Sequence, residues 1–279
     1  YNTEEVRREL KALGYKFKGH SDTEVLLVAF IHWREKCVEK INGIFAFAVW
    51  DTKSQMLFLA RDRIGVKPLF FYHYNDSGLI FGSEIKTLLC NPRIEPKVDE
   101  EGLMELFFIG PGRTPGNGII RGIKELKPGE CAYFSKDGGL KIRRYWSLEA
   151  REFEDNFNVA VEKTRYLVTD AVERQLVSDV PLCCFLSGGL DSSIISKVAA
   201  DYYKKSGKGE LSTYSVDYVD NVKYFKKSLF QPNSDAEYIK TMVDAIRSDH
   251  NYVVLDNESL VDALTEATLA RDLPGMADI

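Results

Sequence analysis

Several residue patterns and segments that would define a class of protein are missing from this sequence. None of the four histidines stands at metal-ligand spacing with a cysteine or another histidine, so no zinc site is predicted. No apolar run approaches the roughly 20 residues of a membrane-spanning helix, and the start lacks the basic and apolar regions of a signal peptide. A protein without membrane segments is therefore predicted. The missing initiator Met leads us to expect that the chain begins inside a longer protein.

Cysteine is scarce, and its spacing forms no disulfide framework. The five cysteines are odd in number and include no C-x-x-C pair. Cys183 and Cys184 are neighbours inside an apolar run, which predicts buried thiols rather than zinc ligands or half-cystines. Such usage fits a reducing compartment, so the predicted localisation is the cytoplasm.

Positive charge is in deficit, since 37 Lys and Arg residues face 42 Asp and Glu residues, for a formal net charge of −5. Recognition of nucleic acid through bulk positive charge is therefore not expected. A hydrophobic fraction of 44% and a charged fraction of 28% are ordinary for a globular protein. The length of 279 residues indicates about two domains.

The first part of the chain, residues 1–150, is predicted to combine helices with antiparallel strands. Residues 4–13 have the pattern of an amphipathic helix. A second helix is predicted to continue to Trp33, with Ser21 or Asp22 as its cap. Short aromatic-rich runs between turn sequences then predict hairpins, and their apolar character indicates strands covered on both faces, as in stacked sheets. The predicted strands cover residues 45–50, 56–60, 68–72, 79–82, 131–134 and 140–145, with a turn at 75–78 and irregular loops with short elements at 91–130.

The second part, residues 151–279, follows a polar stretch at 146–156 that is predicted to hold the domain boundary. Apolar strands then alternate with helical patterns, which is typical of a parallel α/β sheet. The strand at 181–186 is almost entirely apolar and is expected to be buried. The predicted strands cover residues 181–186, 212–216 and 251–255, and the predicted helices cover 157–177, 192–200, 235–247 and 258–271.

The strongest chemical signal is the segment Ser187–Ser193, which reads S-G-G-L-D-S-S between a predicted strand and a predicted helix. Adjacent glycines allow backbone N–H groups to point at an anion, and the following helix adds its N-terminal amides. Asp191 beside a phosphate would need a cation between them, so Mg²⁺ coordination is its natural role. No G-x-x-x-x-G-K-[ST] string occurs, so this is not a Walker A loop. For the two glycines alone, an ordinary strand-to-helix turn is the alternative.

The string S-G-G-x-D-S-S after an apolar strand resembles the N-type ATP pyrophosphatase motif, in which ATP is cleaved to AMP and pyrophosphate. GMP, NAD, argininosuccinate and asparagine synthetases share this motif, and the flanking residues 180–196 are most similar to the asparagine synthetases. The run at 270–279 also resembles a segment of that family. Taken alone, Val216 would be assigned to the core; the resemblance implies that it contacts adenosine. The ATP-binding residues that the resemblance implies are Leu186, Ser187, Gly188, Gly189, Leu190, Asp191, Ser192, Ser193 and Val216, with Asp191 as the metal ligand.

Four strings in the first part resemble the class II glutaminase domain, which has an N-terminal-nucleophile fold with two stacked antiparallel sheets. These strings are G-H-S-D-T-E at 19–24, G-I-F-A-F-A at 43–48, A-R-D-R-I-G-V-K-P-L at 60–69 and S-E-I-K at 83–86. The resemblance implies that Asp22 pairs with the α-ammonium of glutamine, whereas an ordinary helix cap is its alternative role. Arg61 and Asp62 are interpreted as structural residues that hold the loop before Gly65. The predicted fold is thus an α+β glutaminase domain over 1–150, followed by an α/β ATP-pyrophosphatase domain over 151–279.

The resemblance also implies functional groups that this sequence does not contain. The family's nucleophile is a Cys at the mature N-terminus, whose own α-amine acts as the base. This chain begins with Tyr1-Asn2, which resembles the tail of the substrate-binding string N-G-E-I-Y-N. We therefore expect the nucleophile and the glutamine-binding Arg and Asn before Tyr1, and the string S-G-E-G-x-D and a catalytic Lys after Ile279. No catalytic residue is assigned within the chain, and the piece alone is expected to be inactive.

The function that the resemblance implies is glutamine-hydrolysing asparagine synthesis, with glutamine and aspartate as substrates and with ATP and Mg²⁺. The expected intermediate is β-aspartyl-AMP, and the expected products include AMP and pyrophosphate. Two alternatives stay open at this point: a β-lactam synthetase-like cyclase without glutaminase activity, and a non-catalytic ATP-binding protein. The family often dimerises, so a homodimer is one oligomeric state that the resemblance allows. Neither nucleic acid nor membrane is an expected partner.

Overall fold

A computed structural model describes residues 1–74, 78–109, 112–226, 229 and 234–273. The predicted turn at 75–78 lies outside the described residues apart from Gly78. The run at 270–279 is described only through Leu273. None of the helices in the described ranges combines the length and the apolar composition that crossing a bilayer requires.

Two compact units divide the chain. The first unit contains Tyr1–Arg151 together with Glu266–Ile279, and the second contains Glu152–Thr265. The antiparallel sheets lie in the first unit and the parallel sheet in the second, which confirms the predicted order of antiparallel sheets followed by a parallel sheet. The domain ranges 1–150 and 151–279 themselves stay a prediction.

The helices and strands of the first unit follow the predicted order, with short helices in addition. Its antiparallel strands pair as β1-β2-β6-β7 in one sheet and as β4-β3-β5 in the other, within the described residues. The elements are α1 (Thr3–Ala12), α2 (Asp22–Trp33), α3 (Cys37–Lys40), β1 (Ala46–Asp51), β2 (Met56–Arg61), β3 (Phe70–Tyr74), β4 (Gly78–Gly82), α4 (Ile85–Leu89), α5 (Glu100–Met104) with a π-helical continuation (Glu105–Ile109), β5 (Ile123–Glu125), β6 (Glu130–Ser135) and β7 (Gly139–Arg144).

Strand β2 shows why the two sheets stack. Side chains alternate between the faces of a strand, so Phe58 and Ala60 pack against α1, α2 and α3. Leu57 and Leu59 point the other way and meet Phe71 of β3 in the second sheet. Both faces of β2 are therefore covered, as its apolar run predicted. Strand β1 differs, because the side chain of Trp50 is half exposed.

The second sheet of this unit is covered on its outer face by α4. Phe70 of β3, Ile123 of β5 and the α4 residues Ile85 and Leu88 form one buried cluster. Successive residues of β3 thus serve two cores, since Phe70 faces α4 while Phe71 faces the first sheet. The layers of the first unit run from helices through two antiparallel sheets to a helix.

The second unit alternates strands and helices, as its sequence pattern predicted. Its strands pair in parallel in the order β10-β9-β8 within the described residues. The elements are α6 (Phe157–Gln175), β8 (Cys183–Phe185), α7 (Leu190–Lys205), β9 (Ser212–Tyr218), α8 (Asn221–Tyr224), α9 (Asp235–Ile246), β10 (Asp249–Leu255) and α10 (Asn257–Arg271), which ends in the residues assigned to the first unit.

The expectation that residues 181–186 form a buried strand is wrong in part. Leu186 is buried, but 78% of Phe185 is exposed, Cys183 is exposed and Cys184 is partly exposed. Strands β8, β9 and β10 follow one another across the sheet in chain order. Because the connections between parallel strands are right-handed, α7 and α9 lie on the same face of the sheet. The side chains of Cys183 and Phe185 alternate onto the opposite face, which these helices do not cover.

Candidate functional site

A cleft of about 620 Å³ in the first unit contains Asp22. Asp22 begins α2, and its carboxylate lies in the first helical turn, where the helix dipole stabilises negative charge. Tyr1 and Lys67 also line the cleft. The Tyr1 ring packs against Gly43 so closely that a Cβ on that glycine would lie 2.8 Å from Tyr1 Cδ1. The cleft thus has an apolar wall and carries side chains of both charges.

The helix cap of α2 is Ser21, not Asp22. The Ser21 hydroxyl accepts a hydrogen bond from the Thr23 backbone N–H at 3.1 Å. The Asp22 carboxylate accepts only from the hydroxyl of Thr23, at 3.3 Å, among its described contacts. Capping does not explain the aspartate, and its predicted role in binding glutamine stays a prediction.

Two charged side chains that sequence reasoning missed hold the loop in front of Asp22. Glu24 accepts hydrogen bonds from the N–H groups of Lys18 and Gly19 at 2.7 and 2.8 Å. These bonds lower the pKa of the Glu24 carboxyl, with the Lys18 N–H as the largest cause. The buried guanidinium of Arg7 donates to the carbonyl of Gly19 at 2.9 Å. The string S-x-x-E at 21–24 was an available signal for Glu24, whereas nothing in the sequence distinguished Arg7.

Arg61 and Asp62 hold the loop before Gly65, as their structural interpretation predicted. The Asp62 carboxylate is 1% exposed and accepts backbone N–H bonds from residues 64–67, the shortest being from Gly65 at 2.7 Å. The Arg61 guanidinium donates to the carbonyl of Gly65 at 2.8 Å and lies 3.0 Å from the Glu125 carboxylate. This loop carries Lys67 to the cleft.

The second candidate site is the segment Ser187–Ser193, here called the donor loop, which comprises the end of the connection after β8 and the first turn of α7. Gly188 has a φ of +81°, a conformation that favours glycine. A Cβ on Gly188 would lie 3.0 Å from the carbonyl oxygen of Asp235 and 3.2 Å from Tyr238 Cβ, both in the first turn of α9. The close approach of α9 and the backbone conformation of the loop both require glycine at this position.

The N-terminus of α7 has no side-chain cap among the described residues. Gly189 occupies the cap position, and the first helical bond runs from the Ser193 N–H to the Gly189 carbonyl at 3.1 Å. The N–H groups of Leu190, Asp191 and Ser192 therefore lack partners within the helix. By contrast, α2, α6 and α9 are capped by the side chains of Ser21, Asn156 and Ser234.

The serines of the loop brace it from within. The Ser187 N–H donates to Ser192 Oγ at 3.2 Å, and the two hydroxyl oxygens lie 3.0 Å apart. Ser192 Oγ in turn donates to the Gly189 carbonyl at 3.2 Å. A glycine in the left-handed region, uncapped amides and serine hydroxyls thus occur together at the start of α7, and such a set of hydrogen-bond donors suits a phosphate group.

Asp191 is exposed in the first turn of α7. Within the described ranges, no three His, Cys, Asp or Glu side chains meet in a group that could hold a metal ion. Mg²⁺ in nucleotide sites is usually held by one or two carboxylates together with substrate phosphates. A single carboxylate in the donor loop, that of Asp191, is thus compatible with its predicted role as a Mg²⁺ ligand.

The two predicted adenosine contacts occupy different environments. Val216 is 50% exposed and lies two residues before the end of β9, whereas it was predicted to end this strand. Its exposure makes a core role unsuitable. Leu186 is 1% exposed, its N–H donates to the Tyr214 carbonyl at 2.8 Å, and its carbonyl accepts from the Ser215 hydroxyl. Leu186 therefore fixes the start of the loop to strand β9. Its contact with adenosine stays a prediction.

Comparison with known families gives two matches that follow one another along the chain. Residues 1–146 match the family described as glutamine amidotransferase domain. Residues 163–279 match the family described as asparagine synthase. The first match contains Asp22 and its cleft, and the second contains the donor loop and Val216.

Individual relatives match this chain over most of its length. Asparagine synthetase [glutamine-hydrolyzing] 3 of Bacillus subtilis (strain 168) is 55% identical over 279 residues, which cover 100% of this chain and 45% of that protein. Asparagine synthetase [glutamine-hydrolyzing] 1 of the same organism is 34% identical over 218 residues, 78% of this chain and 33% of that protein. Amidase chyE of Penicillium rubens is 28% identical over 281 residues, 97% of this chain and 40% of that protein.

The chain therefore spans less than half the length of each of these relatives, and its similarity to them extends through both of its parts. The order of the two matches is also the order that the motifs of the sequence predicted. This chain belongs to the glutamine-hydrolysing asparagine synthetase family, in which a glutamine amidotransferase domain precedes an asparagine synthase domain.

Proposed function

We propose that this chain is part of an enzyme that transfers the amide nitrogen of glutamine to aspartate at the expense of ATP. The observation that carries the proposal is the donor loop Ser187–Ser193, with the uncapped N-terminus of α7 behind it. Such a loop can hold the pyrophosphate part of ATP through backbone amides and hydroxyls. The names of the two Bacillus subtilis relatives favour asparagine as the product.

In this proposal the first part, residues 1–150, has the N-terminal-nucleophile fold and binds glutamine in the cleft. Asp22 pairs with the α-ammonium group, because its carboxylate reaches the cleft and is not used as the cap of α2. Hydrolysis of the glutamine amide then releases ammonia. The nucleophile is an N-terminal cysteine of the intact protein, whose α-amine removes the thiol proton.

The second part, residues 151–279, binds ATP at the carboxyl ends of the parallel strands, where such sheets place their ligands. The loop amides and the hydroxyls of Ser187, Ser192 and Ser193 hold the pyrophosphate, and Val216 contacts the adenosine. Asp191 would hold Mg²⁺, and the ion would supply stabilisation of the negative charge on the phosphates.

The chemistry has three steps in this proposal. Ammonia is released from glutamine in the first domain. The β-carboxylate of aspartate attacks the α-phosphorus of ATP, so that β-aspartyl-AMP forms and pyrophosphate leaves. Ammonia then attacks the acyl carbon and expels AMP, which yields asparagine. Homodimerisation is compatible with this scheme and is not required by it.

The replacement Asp191→Ala in the intact enzyme tests the assignment. Loss of the metal-binding carboxylate is expected to abolish aspartate-dependent release of pyrophosphate from ATP, while hydrolysis of glutamine to glutamate continues. Both rates can be measured on one preparation, with a coupled pyrophosphate assay and a glutamate assay. Asparagine synthesis at the wild-type rate in this variant would sink the assignment.

Asp201→Ala provides a matched control on the same helix. The Asp201 carboxylate is half exposed and pairs with Lys197, four residues earlier on α7. Exposed pairs of this kind contribute little to stability. Both activities are expected to persist, so that loss in Asp191→Ala alone is assigned to the donor loop rather than to α7 as a whole.

A further inference from the structure

Two strings that resemble the family, S-E-I-K at 83–86 and the run that begins at Ala270, have no assigned role in the proposed chemistry. The contacting residues lie 184 to 186 positions apart in the sequence, and the structure brings them into direct contact. Lys86 belongs to the first turn of α4, and Ala270 to the last turn of α10. All of these contacts lie within the first unit.

Lys86 binds the C-terminal end of α10. Its ammonium group donates to the carbonyl of Ala270 at 3.0 Å and to that of Leu269 at 3.3 Å. The last carbonyls of a helix have no partners within the helix and carry the negative end of its dipole. A cation at this position stabilises the helix end, and here it comes from a distant element.

Asp272, just after α10, contacts α4 in turn through its carboxylate. Its side chain is 7% exposed, and one carboxylate oxygen lies 2.9 Å from Lys86 Nζ. The other oxygen accepts the backbone N–H of Lys86 at 3.1 Å, in the first turn of α4. The carboxylate raises the pKa of the Lys86 ammonium, as the largest cause of that shift. Leu273 then packs beside Ile85 and Leu88.

The position of this contact connects two regions that matter for the proposed function. Ser83, three residues before Lys86, lines the glutamine cleft. The helix α10 begins in the residues of the second unit and ends in those of the first, because the units divide between Thr265 and Glu266. The short segment 83–86 therefore runs from the cleft wall to the end of a helix that both units share.

We propose that Lys86 and Asp272 are positioning residues that couple glutamine hydrolysis to asparagine formation, an inference that rests on the proposed function. The pair fixes the end of α10 to the segment that forms the cleft wall, so that released ammonia is used rather than lost. Neither residue touches the reacting groups. Breaking the pair uncouples the two reactions without stopping either of them.

The test uses the full-length enzyme and the variants Lys86→Met, Lys86→Arg and Asp272→Asn. Asparagine is chosen at 272 because this residue has a φ of +67°, which asparagine tolerates. The measured quantity is glutamate released per asparagine formed, with asparagine synthesis from free ammonia as the second readout. Lys86→Met and Asp272→Asn are expected to raise this ratio by roughly tenfold. The loss of one charge-assisted hydrogen bond corresponds to a factor of about that size. Synthesis from ammonia stays at the wild-type rate, and Lys86→Arg restores the wild-type ratio.

Lys136→Met serves as the control, since Lys136 is exposed in the turn between β6 and β7, and it leaves the ratio unchanged. An unchanged ratio in both Lys86→Met and Asp272→Asn would overturn the coupling role. A parallel loss of glutamine-dependent and ammonia-dependent synthesis would also overturn it, because it would indicate general damage to the fold.

A second measurement does not depend on activity. Hydrogen–deuterium exchange of the full-length protein reports on residues 83–89 and 266–273 directly. Lys86→Met is expected to increase exchange in both segments, and unchanged exchange in both would refute the contact itself. If the wild-type enzyme forms no asparagine, the proposed function fails, and the exchange data still decide whether Lys86 fixes the end of α10.

Discussion

Asp22 and Asp62 are both aspartates of the first unit, and the structure uses their carboxylates in opposite ways. Asp62 is buried, and its two oxygens accept four backbone N–H groups from the loop that follows it. Asp22 is exposed on a cleft and makes one long contact with the hydroxyl of Thr23 among its described interactions. A carboxylate saturated by backbone donors stabilises a loop, whereas one that is open to a cleft is available to a ligand.

Asp22→Asn is therefore expected to weaken the use of glutamine without weakening the fold. Loss of a charged hydrogen-bond partner costs about 1.5–3 kcal/mol, which corresponds to a decrease of about 10–100-fold in kcat/KM for glutamine. Synthesis of asparagine from free ammonia is expected to be unchanged. Steady-state kinetics of the intact enzyme with each nitrogen donor measures both quantities, and an unchanged kcat/KM for glutamine would contradict the assignment.

Asp62→Asn is the contrasting variant for this prediction. An amide cannot accept at both of its polar atoms, so at least one buried N–H loses its partner. The cost is about 1–3 kcal/mol in the free energy of unfolding. Chemical denaturation should show this loss for Asp62→Asn and no comparable loss for Asp22→Asn, because Ser21 rather than Asp22 caps α2.

At the scale of elements, the donor loop depends on the fit between two helices. The loop leads from β8 into α7, and the first turn of α9 lies directly against Gly188. Its neighbour Gly189 is different, because its φ of −73° suits any residue and an added Cβ would meet only Ser187 Oγ, at 3.5 Å. The two glycines are adjacent in sequence, but only the position of Gly188 requires glycine for its backbone conformation and its close packing.

Gly188→Ala is expected to destabilise the second unit and to abolish ATP-dependent pyrophosphate release. The left-handed conformation alone costs a non-glycine residue about 1–2 kcal/mol, and the new Cβ would also press on the Asp235 carbonyl at 3.0 Å. Gly189→Ala carries neither penalty, and since alanine is only a poorer helix cap than glycine, this variant should lose less stability than Gly188→Ala. Equal stability of the two variants, measured by chemical denaturation, would show that the close approach of α9 does not constrain the loop.

The elements themselves were largely predictable from the sequence, because apolar periodicity and turn residues are local signals. The string at Ser187–Ser193 likewise predicted a turn from a strand into a helix, and the structure has this turn, although α7 begins at Leu190 rather than at Ser192. The exposure of Phe185 was not predictable, since an apolar strand has the same composition whether or not a helix covers it. Contacts between distant residues, such as that of Lys86 with Asp272, leave no local pattern either. The hydrogen bond from Arg7 to the carbonyl of Ser21, the residue before Asp22, has the same character.

At the scale of the whole chain, the two units have separate buried clusters. Leu88 belongs to the cluster between α4 and the second antiparallel sheet. Leu211 belongs to a cluster formed with residues of α6 and α7 in the second unit. Both leucines are almost completely buried. Helix α10 is the exception to this separation, because its residues are divided between the units at Thr265 and Glu266.

Destabilising each cluster in turn should reveal which unit holds the end of α10. Leu88→Ala and Leu211→Ala each remove a buried side chain, at a cost of about 2–5 kcal/mol. Hydrogen–deuterium exchange of the full-length protein is expected to rise at residues 266–273 in Leu88→Ala, because Leu273 packs against that cluster. The same residues should keep their protection in Leu211→Ala, in which α6 and α7 lose theirs. If exchange at residues 266–273 rose in Leu211→Ala and not in Leu88→Ala, the stability of this segment would depend on the second unit. That result would contradict the assignment of the end of α10 to the first unit.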